Sequence, residues 1–274
     1  MNPVVMINGM PGKMGQAVTH ACLLRGWTVI PYSLTGQVVE SHFDFEGIHF
    51  ELIPPDDKES KIIDIKSQYP QFVTVDYTHP NAVNINGDFY VKHALPFVMG
   101  TTGGDRDLLK SQVSTSSLKA VIAPNMAKQI VGFQAMMEMM AEQFPGVFEG
   151  YKLSVVESHQ VTKADTSGTA KSVVESFNKM GLSEDIEDIT LVRTVEEQKQ
   201  MGIADEFLTG HAFHTYNVDS EDKTVHFEFQ HNVLGRSVYA EGTADAVKFL
   251  SDAKTKEGSN LYDMVDVLKS GSMN

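Results

Sequence analysis

The sequence predicts an α/β fold: a Rossmann-like doubly wound parallel sheet, with a second α+β domain that carries a mixed sheet. Over the first 125 residues, short apolar strands alternate with longer helical stretches, which is typical of a parallel sheet with crossover helices. Later in the chain, the strands at residues 188–193, 210–218 and 224–231 have no predicted helices between them, which favours a mixed or antiparallel sheet.

In the first domain, a strand at residues 4–8 leads through a Gly-rich turn into a helix at residues 16–24, which Gly26 closes. A strand at residues 27–31 and a hairpin near residues 49–53 follow. The remaining elements alternate: helices at residues 56–69, 80–93 and 104–117, and strands at residues 72–77, 97–100 and 119–123.

The second domain begins with a Met-rich helix at residues 130–144, a strand at residues 151–157 and a helix at residues 168–180. After its three strands, the chain ends in predicted helices at residues 239–250 and 259–269. We expect a dinucleotide-binding domain of residues 1–125 plus 244–274, and a substrate-binding and oligomerisation domain of residues 126–243.

The charge balance argues against two classes of partner. The chain has 22 Lys and Arg against 36 Asp and Glu, a formal net charge of −14, and phosphate backbones and anionic lipids repel such a surface. Its apolar stretches are too short to span a bilayer. We therefore expect a soluble protein that binds neither nucleic acid nor membranes. The single Cys22 and an N-terminus without a signal segment predict a reducing compartment, or a form whose targeting segment has been removed.

The strongest local motif lies between the first strand and the first helix, and consists of Gly9, Met10, Pro11, Gly12, Lys13, Met14 and Gly15. Glycines there permit a tight turn and bring backbone N–H groups at a helix N-terminus to a pyrophosphate. The spacing is G-x-x-G-x-x-G, whereas dinucleotide folds usually have G-x-G-x-x-G. The alternative is an ordinary tight strand-to-helix turn, but the position in the first βα unit favours a cofactor site.

The segment 31–36, after the second strand, predicts which nicotinamide cofactor binds. NAD-selective domains usually place an acid there to bind the ribose 2′-hydroxyl, and this segment has none. Ser33 and its hydroxylated neighbours, with Lys13 nearby, could accept a 2′-phosphate. NADPH is therefore favoured, and NADH is the alternative if a later acid such as Glu40 serves the ribose.

Further candidates follow strands whose carboxyl ends share one edge of the predicted sheet. Thr78 follows one strand, and Gly100, Thr101 and Thr102 follow the next. Each turn alone is ordinary, but their recurrence indicates a nicotinamide pocket. The segment Ala123, Pro124, Asn125 and Met126 follows the last strand and is a candidate hinge between the domains.

The most reactive-looking segment is a polar loop after a strand of the second domain. His159 and Lys163 are residue types that move protons when their surroundings adjust their pKa values. Ser167, Gly168 and Thr169 open a helix, and hydroxyls and N–H groups at a helix start suit a carboxylate. The alternative is a solvated loop with an ordinary helix cap.

Other enzyme classes find little support. The strand histidines have neither cysteine partners nor a repeated ligand spacing, so no metal site is predicted. The chain contains neither a G-x-S-x-G motif nor a P-loop, which argues against hydrolase and nucleotide-kinase functions.

Taken together, these motifs resemble the dihydrodipicolinate (4-hydroxy-tetrahydrodipicolinate) reductase family, and specifically its plant-type branch. The resemblance extends from Val4 to Lys269 and rests on the segments 157–163, 167–170, 98–105, 210–214 and 229–242. One departure is Gln160, where the bacterial branch usually has a second histidine. The loop after Asp165 is also one residue shorter than in that branch, so substrate contacts there could be rearranged.

The resemblance implies a function for each candidate. Gly9 to Gly15 would hold the pyrophosphate, and Gly100 to Thr102 with Ala123 to Met126 would flank the nicotinamide. His159 and Lys163 would be the catalytic pair, and Ser167 to Thr169 would bind a carboxylate of a cyclic dicarboxylate. The family uses NADPH or NADH in lysine and diaminopimelate biosynthesis and commonly forms homotetramers, here in a bacterial cytoplasm or a plastid stroma. The alternatives are another two-domain imine or amino-acid dehydrogenase, or a dinucleotide-binding regulator without catalysis.

Overall fold

The computed structural model describes residues 2–37, 40–252 and 258–271, and the chain divides into two compact units. The first unit comprises Met1–Lys128 with Ser237–Asn274, and the second comprises Gln129–Arg236. Within the described residues, no helix combines the length and the apolar character that a bilayer span requires.

The strands are numbered along the chain. They are β1 (Val4–Asn8), β2 (Thr28–Val29), β3 (Tyr32–Leu34), β4 (His42–Phe45), β5 (Ile48–Ile53), β6 (Val73–Asp76), β7 (Phe97–Met99), β8 (Ala120–Ile122), β9 (Lys152–His159), β10 (Thr190–Val192), β11 (His211–Asp219), β12 (His226–Leu234) and β13 (Leu261–Tyr262).

The helices are numbered in the same way. They are α1 (Lys13–Leu24), α2 (Lys58–Gln68), α3 (Val83–Lys92), α4 (Arg106–Ser114), α5 (Lys128–Gln143), α6 (Gly168–Lys179), α7 (Val195–Gln200), α8 (Ser237–Ser251) and α9 (Met264–Lys269). Side-chain oxygens satisfy the first N–H groups of several helices, as the sequence pattern requires. Asp105 accepts from the Leu108 amide at 2.9 Å, and Asp263 forms a capping box with Asp266.

The first unit contains a six-stranded parallel sheet in the order β13-β8-β7-β6-β1-β2. From β1 the chain moves to β2 at one edge and later returns to β6 on the other side of β1. The carboxyl ends of β1 and β6 therefore form the point where strand order reverses, which is where such sheets bind ligands. The predicted Rossmann-like parallel sheet is confirmed.

Two predictions in the first unit need correction. The strand predicted at residues 27–31 is only Thr28–Val29, and the next strand, β3, leaves the large sheet to join a separate small sheet, β3-β5-β4. The helix predicted at residues 259–269 begins only at Met264. Leu261 and Tyr262 instead pair with Ala120 and Val121 of β8 as an added sheet edge. Tertiary pairing thus overrides the local helical pattern there.

The second unit contains a mixed sheet in the order β10-β9-β11-β12, as predicted. Strand β10 runs parallel to β9, while β11 runs antiparallel to both of its neighbours, β9 and β12. Apolar side chains from α5 and α6 cover one face of this sheet, where Val155, Tyr216 and Phe229 pack against Phe177. This covered face also carries the polar candidates described below.

Candidate active site

The Gly-rich loop is held close against the end of β6. Gly9 has a φ of 102°, a conformation that favours glycine, and a Cβ at this position would collide with the carbonyl oxygen of Tyr77. The amide of Gly12 donates to the carbonyl oxygen of Gly9 at 2.8 Å, which closes the turn just before α1. The motif therefore brings the N-terminus of α1 to the crevice where strand order reverses.

A cavity of about 340 Å³ opens at this crevice. Five of the sequence candidates line it: Gly9, Met10, Pro11, Gly12 and Thr78. Ten other residues line it, from the ends of β3 and β5 and from three helices or turns; the three from the end of β3 belong to the segment 31–36, which the sequence links to cofactor choice. The ten residues are Leu34, Thr35, Gly36, Ile53, Pro55, Lys58, His79, Ala82, Ile85 and Asn86.

The remaining loop candidates do not line this cavity. Lys13 is exposed at the start of α1, Met14 is half-buried, and Gly15 is buried. The sequence suggested Ser33 as a contact for a ribose 2′-phosphate, but its side chain is fully buried. Its hydroxyl accepts the Met10 amide at 3.1 Å. Ser33 thus supports the Gly-rich loop from beneath and offers no surface to a 2′-phosphate.

Lys58 lines the cavity and was not among the site residues predicted from the sequence. Its Nζ lies 3.4 Å from Oδ1 of Asn86 and 4.8 Å from the centre of the Phe89 ring. Burial of this half-buried side chain lowers its pKa. Lys58 is the first residue of α2, so only the packing of α2 against α3 reveals that it faces a cavity.

Asp76 organises the turns along the carboxyl edge of the sheet. This carboxylate is fully buried and accepts hydrogen bonds from the hydroxyls of Thr78 (2.8 Å), Thr101 (2.7 Å) and Tyr90 (2.6 Å), and from Asn86 (3.0 Å). The Tyr90 hydroxyl also accepts from Asn8, which accepts in turn from the Leu34 amide at 2.8 Å. A single buried network therefore fixes the ends of β1, β3, β6 and β7.

The other predicted turns lie on the same edge but outside the cavity. The amides of Gly100 and Thr101 donate to the Asp76 carbonyl oxygen at 3.1 and 3.0 Å. Thr101 is buried, whereas Thr102 is exposed. After β8, Ala123 and Met126 are buried, Pro124 is exposed and Asn125 is half-buried. The Asn125 side chain accepts the Ala127 amide at 2.9 Å, which shapes the turn into α5.

In the second unit, Arg193 and Glu157 hold the polar loop that follows β9. Arg193 donates through Nε to the carbonyl oxygen of Lys163 at 2.8 Å, and through Nη2 to Oε1 of the fully buried Glu157. Glu157 Oε2 also accepts the Ser167 amide at 3.0 Å. The pair therefore ties the ends of β9 and β10 to the middle of the loop at Lys163 and to its end at Ser167. Sequence reasoning missed Arg193, which is the last residue of the strand predicted at residues 188–193 and belongs to no motif.

The loop places the predicted catalytic and carboxylate-binding residues within one short segment. His159 ends β9, and its carbonyl oxygen accepts from the buried side chain of Gln198 at 2.8 Å. Lys163 Nζ donates to Asp165 at 2.8 Å, and this hydrogen bond lowers the pKa of the exposed Asp165. The Ser167 hydroxyl accepts the Thr169 amide at 3.2 Å and so caps α6, which begins at the exposed Gly168.

Burial governs the protonation of His159. Desolvation, reinforced by the neighbouring His214, lowers the pKa of His159 to about 3, so its imidazole is neutral near pH 7. Burial by itself would raise the pKa of Glu157, but interactions with His214 and Arg193 outweigh it and bring that pKa to about 2. Near pH 7 the arrangement therefore pairs a neutral imidazole with an ionised carboxylate.

Two family models match consecutive parts of the chain. The model of the dihydrodipicolinate reductase N-terminus matches residues 4–126, and the model of its C-terminus matches residues 130–268. The chain belongs to the dihydrodipicolinate reductase family. This confirms the resemblance drawn from the sequence, and with it an oxidoreductase of lysine and diaminopimelate biosynthesis that uses a nicotinamide dinucleotide.

Relatives within this family indicate the branch. The chain is 49% identical over 273 residues to the probable 4-hydroxy-tetrahydrodipicolinate reductase 1, chloroplastic, of Oryza sativa subsp. japonica, covering 98% of this chain and 79% of that protein. It is 48% identical to 4-hydroxy-tetrahydrodipicolinate reductase 2, chloroplastic, of Arabidopsis thaliana, covering 98% and 78%. A reductase of Herminiimonas arsenicoxydans is 29% identical over 71% of this chain and 72% of its own. The plant-type resemblance therefore holds.

The family's fold is also found among solved structures. A dipicolinate-bound dihydrodipicolinate reductase from Paenisporosarcina sp. TG-14 is similar with a TM-score of 0.66 and 20% identity, covering 97% of this chain and 99% of that one. At this identity the likeness concerns the fold alone.

Proposed function

We propose that this chain reduces 4-hydroxy-tetrahydrodipicolinate to tetrahydrodipicolinate, and that its two units serve as cofactor and substrate domains. The observation that carries the proposal is the loop of the second unit, where Arg193 and Glu157 hold Lys163 and the start of α6 beside His159. In a family of reductases, this set supplies a proton donor and a carboxylate site together.

The first unit fits a nicotinamide dinucleotide. Its glycines bring backbone close to the crevice without a Cβ in the way, and the adjoining cavity of about 340 Å³ has room for part of such a molecule. The Gly9–Gly15 loop would hold the pyrophosphate, and the turns at Gly100–Thr102 and Ala123–Met126 would flank the nicotinamide. Bound there, the cofactor supplies a hydride.

In the second unit, Lys163 is the proposed general acid. The cyclic substrate loses water to give a conjugated imine, and reduction of the ring C=C leaves a carbanion or enamine that needs a proton. Asp165 forms an ion pair with Lys163 Nζ at 2.8 Å, which holds the ammonium group at the loop. The neutral imidazole of His159 can relay a proton by accepting at one nitrogen and donating at the other.

Ser167, Gly168 and Thr169 are the proposed carboxylate site. They form the start of α6, where amide groups and the helix dipole favour an anion. Anchoring one carboxylate limits the motion of the ring relative to Lys163, which accelerates the reaction by proximity.

We propose NADPH as the preferred cofactor. No acidic residue lines the described cavity, whereas Lys58 does, together with Thr35 and Gly36 at the end of β3. A lysine beside small residues suits a 2′-phosphate, and an acid would repel it. NADH remains the alternative that a direct comparison tests.

A coupled assay tests the proposed function. The upstream synthase supplies the substrate, and oxidation of NADPH or NADH is followed by absorbance. Lys163→Ala should lower kcat by about 10²- to 10⁴-fold, the usual contribution of a general acid. Lys152→Ala, which removes an exposed lysine at the start of β9, is the matched control. Absence of oxidation with either cofactor would contradict the proposal, and an unchanged kcat for Lys163→Ala would contradict the assignment of the acid.

We also propose a homotetramer formed through the second unit. Strand β12 is an edge of its sheet, and Val225, Phe227 and Leu234 at this edge are each more than a third exposed. Light scattering tests this, with Phe227→Asp expected to give smaller species and a persistent monomer of the unaltered chain contradicting it. Of the two compartments predicted, the names of the rice and Arabidopsis relatives support the plastid.

A further inference from the structure

A cluster of buried ligand atoms lies on the covered face of the second unit's sheet. We call Glu157, His159 and His214 the Glu-His-His cluster. Strand register brings them together, because His214 of β11 pairs directly with Glu157 of β9, and His159 stands two residues further along β9. Side chains two residues apart in a strand share one face, so all three point the same way.

The distances within this cluster suit a metal ion better than hydrogen bonds. His159 Nδ1 lies 3.6 Å from Glu157 Oε1, and His214 Nε2 lies 3.6 Å from Glu157 Oε2. Hydrogen bonds between such atoms measure about 2.7–3.2 Å. Ligands that bind zinc tetrahedrally at about 2.0–2.1 Å stand about 3.4 Å apart from one another. One ligand atom from each of the three residues lies within 4.8 Å of the others.

The buried histidine nitrogens of the cluster have no hydrogen-bond partner. His159 Nδ1 and both ring nitrogens of His214 are buried without a hydrogen bond. The side chains of Glu157 and His214 are 0% and 3% exposed, and His159 is 8% exposed as a residue. Buried polar nitrogens are costly unless something satisfies them. A cation at the centre of the cluster would satisfy two of them at once.

We propose that the Glu-His-His cluster binds one divalent transition-metal ion of the Zn²⁺ class. Two imidazoles and a carboxylate form a ligand set that zinc accepts, with a fourth position open to water or to an oxygen of a ligand. Mg²⁺ and Ca²⁺ are disfavoured, because they require mostly oxygen ligands. Arg193 shares Glu157 Oε1, and its positive charge weakens the site, so a chelator removes the ion.

The consequence for activity rests on the proposed function. A metal bound at Nδ1 of His159 removes the imidazole from proton relay, so occupancy inhibits the reductase. The proposed reaction itself needs no metal, so a metal ion bound at this site would act as an inhibitor.

The test measures binding directly on the full-length protein after treatment with EDTA. Zn²⁺ is titrated calorimetrically, and Co²⁺ is added as a spectroscopic probe whose visible bands report tetrahedral coordination. His214→Gln removes one ligand. His49→Gln is the matched control, because it removes an exposed histidine that contacts Asp44 at 2.6 Å and stacks on His42, a competing surface site.

We expect one Zn²⁺ per chain for the unaltered protein and for His49→Gln, with affinity at least about tenfold weaker for His214→Gln. No binding by the unaltered protein, or equal binding by His214→Gln, overturns the proposal. Should His214→Gln fail to fold, crystals of the unaltered protein soaked in Zn²⁺ give the answer. An anomalous peak bonded to all three side chains supports the site, and zinc found only elsewhere overturns it.

Measurements of NADPH oxidation distinguish a failure of the metal-site proposal from a failure of the proposed function. Zn²⁺ should inhibit NADPH oxidation with a midpoint equal to the calorimetric Kd, and EDTA should restore the rate. Binding without inhibition overturns the inhibitory role. A metal-free protein that never oxidises NADPH contradicts the proposed function, whereas its calorimetric Zn²⁺ titration still decides the metal site.

Discussion

Lys58 is the side chain on which the proposed preference for NADPH rests, although it belongs to no sequence motif. It occupies the first position of α2, where a lysine is unremarkable in sequence. In the structure its ammonium lies at a cavity lined by the Gly-rich loop, and burial lowers its pKa. Neutralising this charge should therefore affect a phosphorylated dinucleotide more than an unphosphorylated one.

We predict that Lys58→Met raises the KM for NADPH roughly tenfold, the size of one hydrogen bond to a charged group, and leaves the KM for NADH nearly unchanged. Steady-state kinetics with each cofactor provide the measurement. Lys61→Met is the matched control, because Lys61 lies one turn later and pairs with Glu51. Equal changes in both KM values would show that Lys58 does not contact the 2′-phosphate.

The histidines show that spacing along the sequence does not reveal which side chains lie together in the fold. His159 and His214 are 55 positions apart, and no metal-ligand spacing connects them. The register of β9 and β11 makes them neighbours, and the register of β12 places His231 opposite His214, with the two rings stacked at 4.6 Å. Cross-strand partners depend on turn geometry and on which face is buried, so sequence reasoning could not pair them.

At the scale of elements, the loop between β9 and α6 is held in place by a residue that follows β10. Arg193 follows the last residue of β10, and its planar guanidinium reaches both Glu157 and the Lys163 carbonyl oxygen. A lysine at this position would keep the charge opposite Glu157 but would lose the two-pronged geometry. The two functions of Arg193 can therefore be separated by a conservative substitution.

We predict that Arg193→Lys folds, loses about tenfold in kcat/KM for the dicarboxylate substrate, and keeps its KM for the nicotinamide cofactor. The reason is that Lys163 loses a backbone anchor, while the charge of Glu157 stays compensated. Steady-state kinetics and a thermal unfolding curve are compared with those of Arg236→Lys. This variant is the matched control, because the Arg236 guanidinium donates only to the exposed carbonyl oxygen of Thr209 among the hydrogen bonds described. Unchanged kcat/KM in a folded Arg193→Lys protein would contradict the positioning role.

At the scale of the whole molecule, the net charge of −14 contrasts with anionic ligands. The proposed cofactor and dicarboxylate are both negatively charged, so binding must depend on local cations and helix N-termini within a repulsive surface. Lys58 at the cavity and Lys163 at the loop are such cations. The net charge therefore does not indicate which ligands bind, because their recognition depends on a few local cations.

Cys22, the single cysteine, reports on global stability. It is fully buried in α1, and burial raises the pKa of its thiol to about 12. In the unfolded chain the thiol would ionise near pH 9, so between pH 9 and 12 only the unfolded chain loses this proton. The contribution to the free energy of unfolding consequently falls as pH rises through that window, by at most about 1.4 kcal/mol per pH unit.

We predict that a thiol reagent such as DTNB leaves Cys22 unmodified in the folded protein at pH 8, and labels one thiol per chain in urea. Compared with Cys22→Ala, the unaltered protein should lose stability more steeply above pH 9, as measured by denaturant unfolding. Rapid labelling of the folded protein would contradict the burial of this thiol.

The sequence by itself determined the features that depend on neighbours along the chain. These are the alternating strands and helices, the Gly-rich turn after β1, and the polar loop that carries His159, Lys163 and Ser167. Periodicity, helix capping and glycine conformations act over a few residues, so they can be recognised without a structure. The same local signals carried the family resemblance.

Only the tertiary structure decided the features that depend on packing between distant segments. Strand register brought His214 to Glu157, helix packing brought Lys58 to the cavity, and pairing with β8 turned Leu261–Tyr262 into a strand. Ser33 was recognised in the right segment, but burial turned it from a candidate contact into a support for the loop. Long-range pairing and burial are properties of the folded chain, because their energies come from contacts that no local pattern specifies.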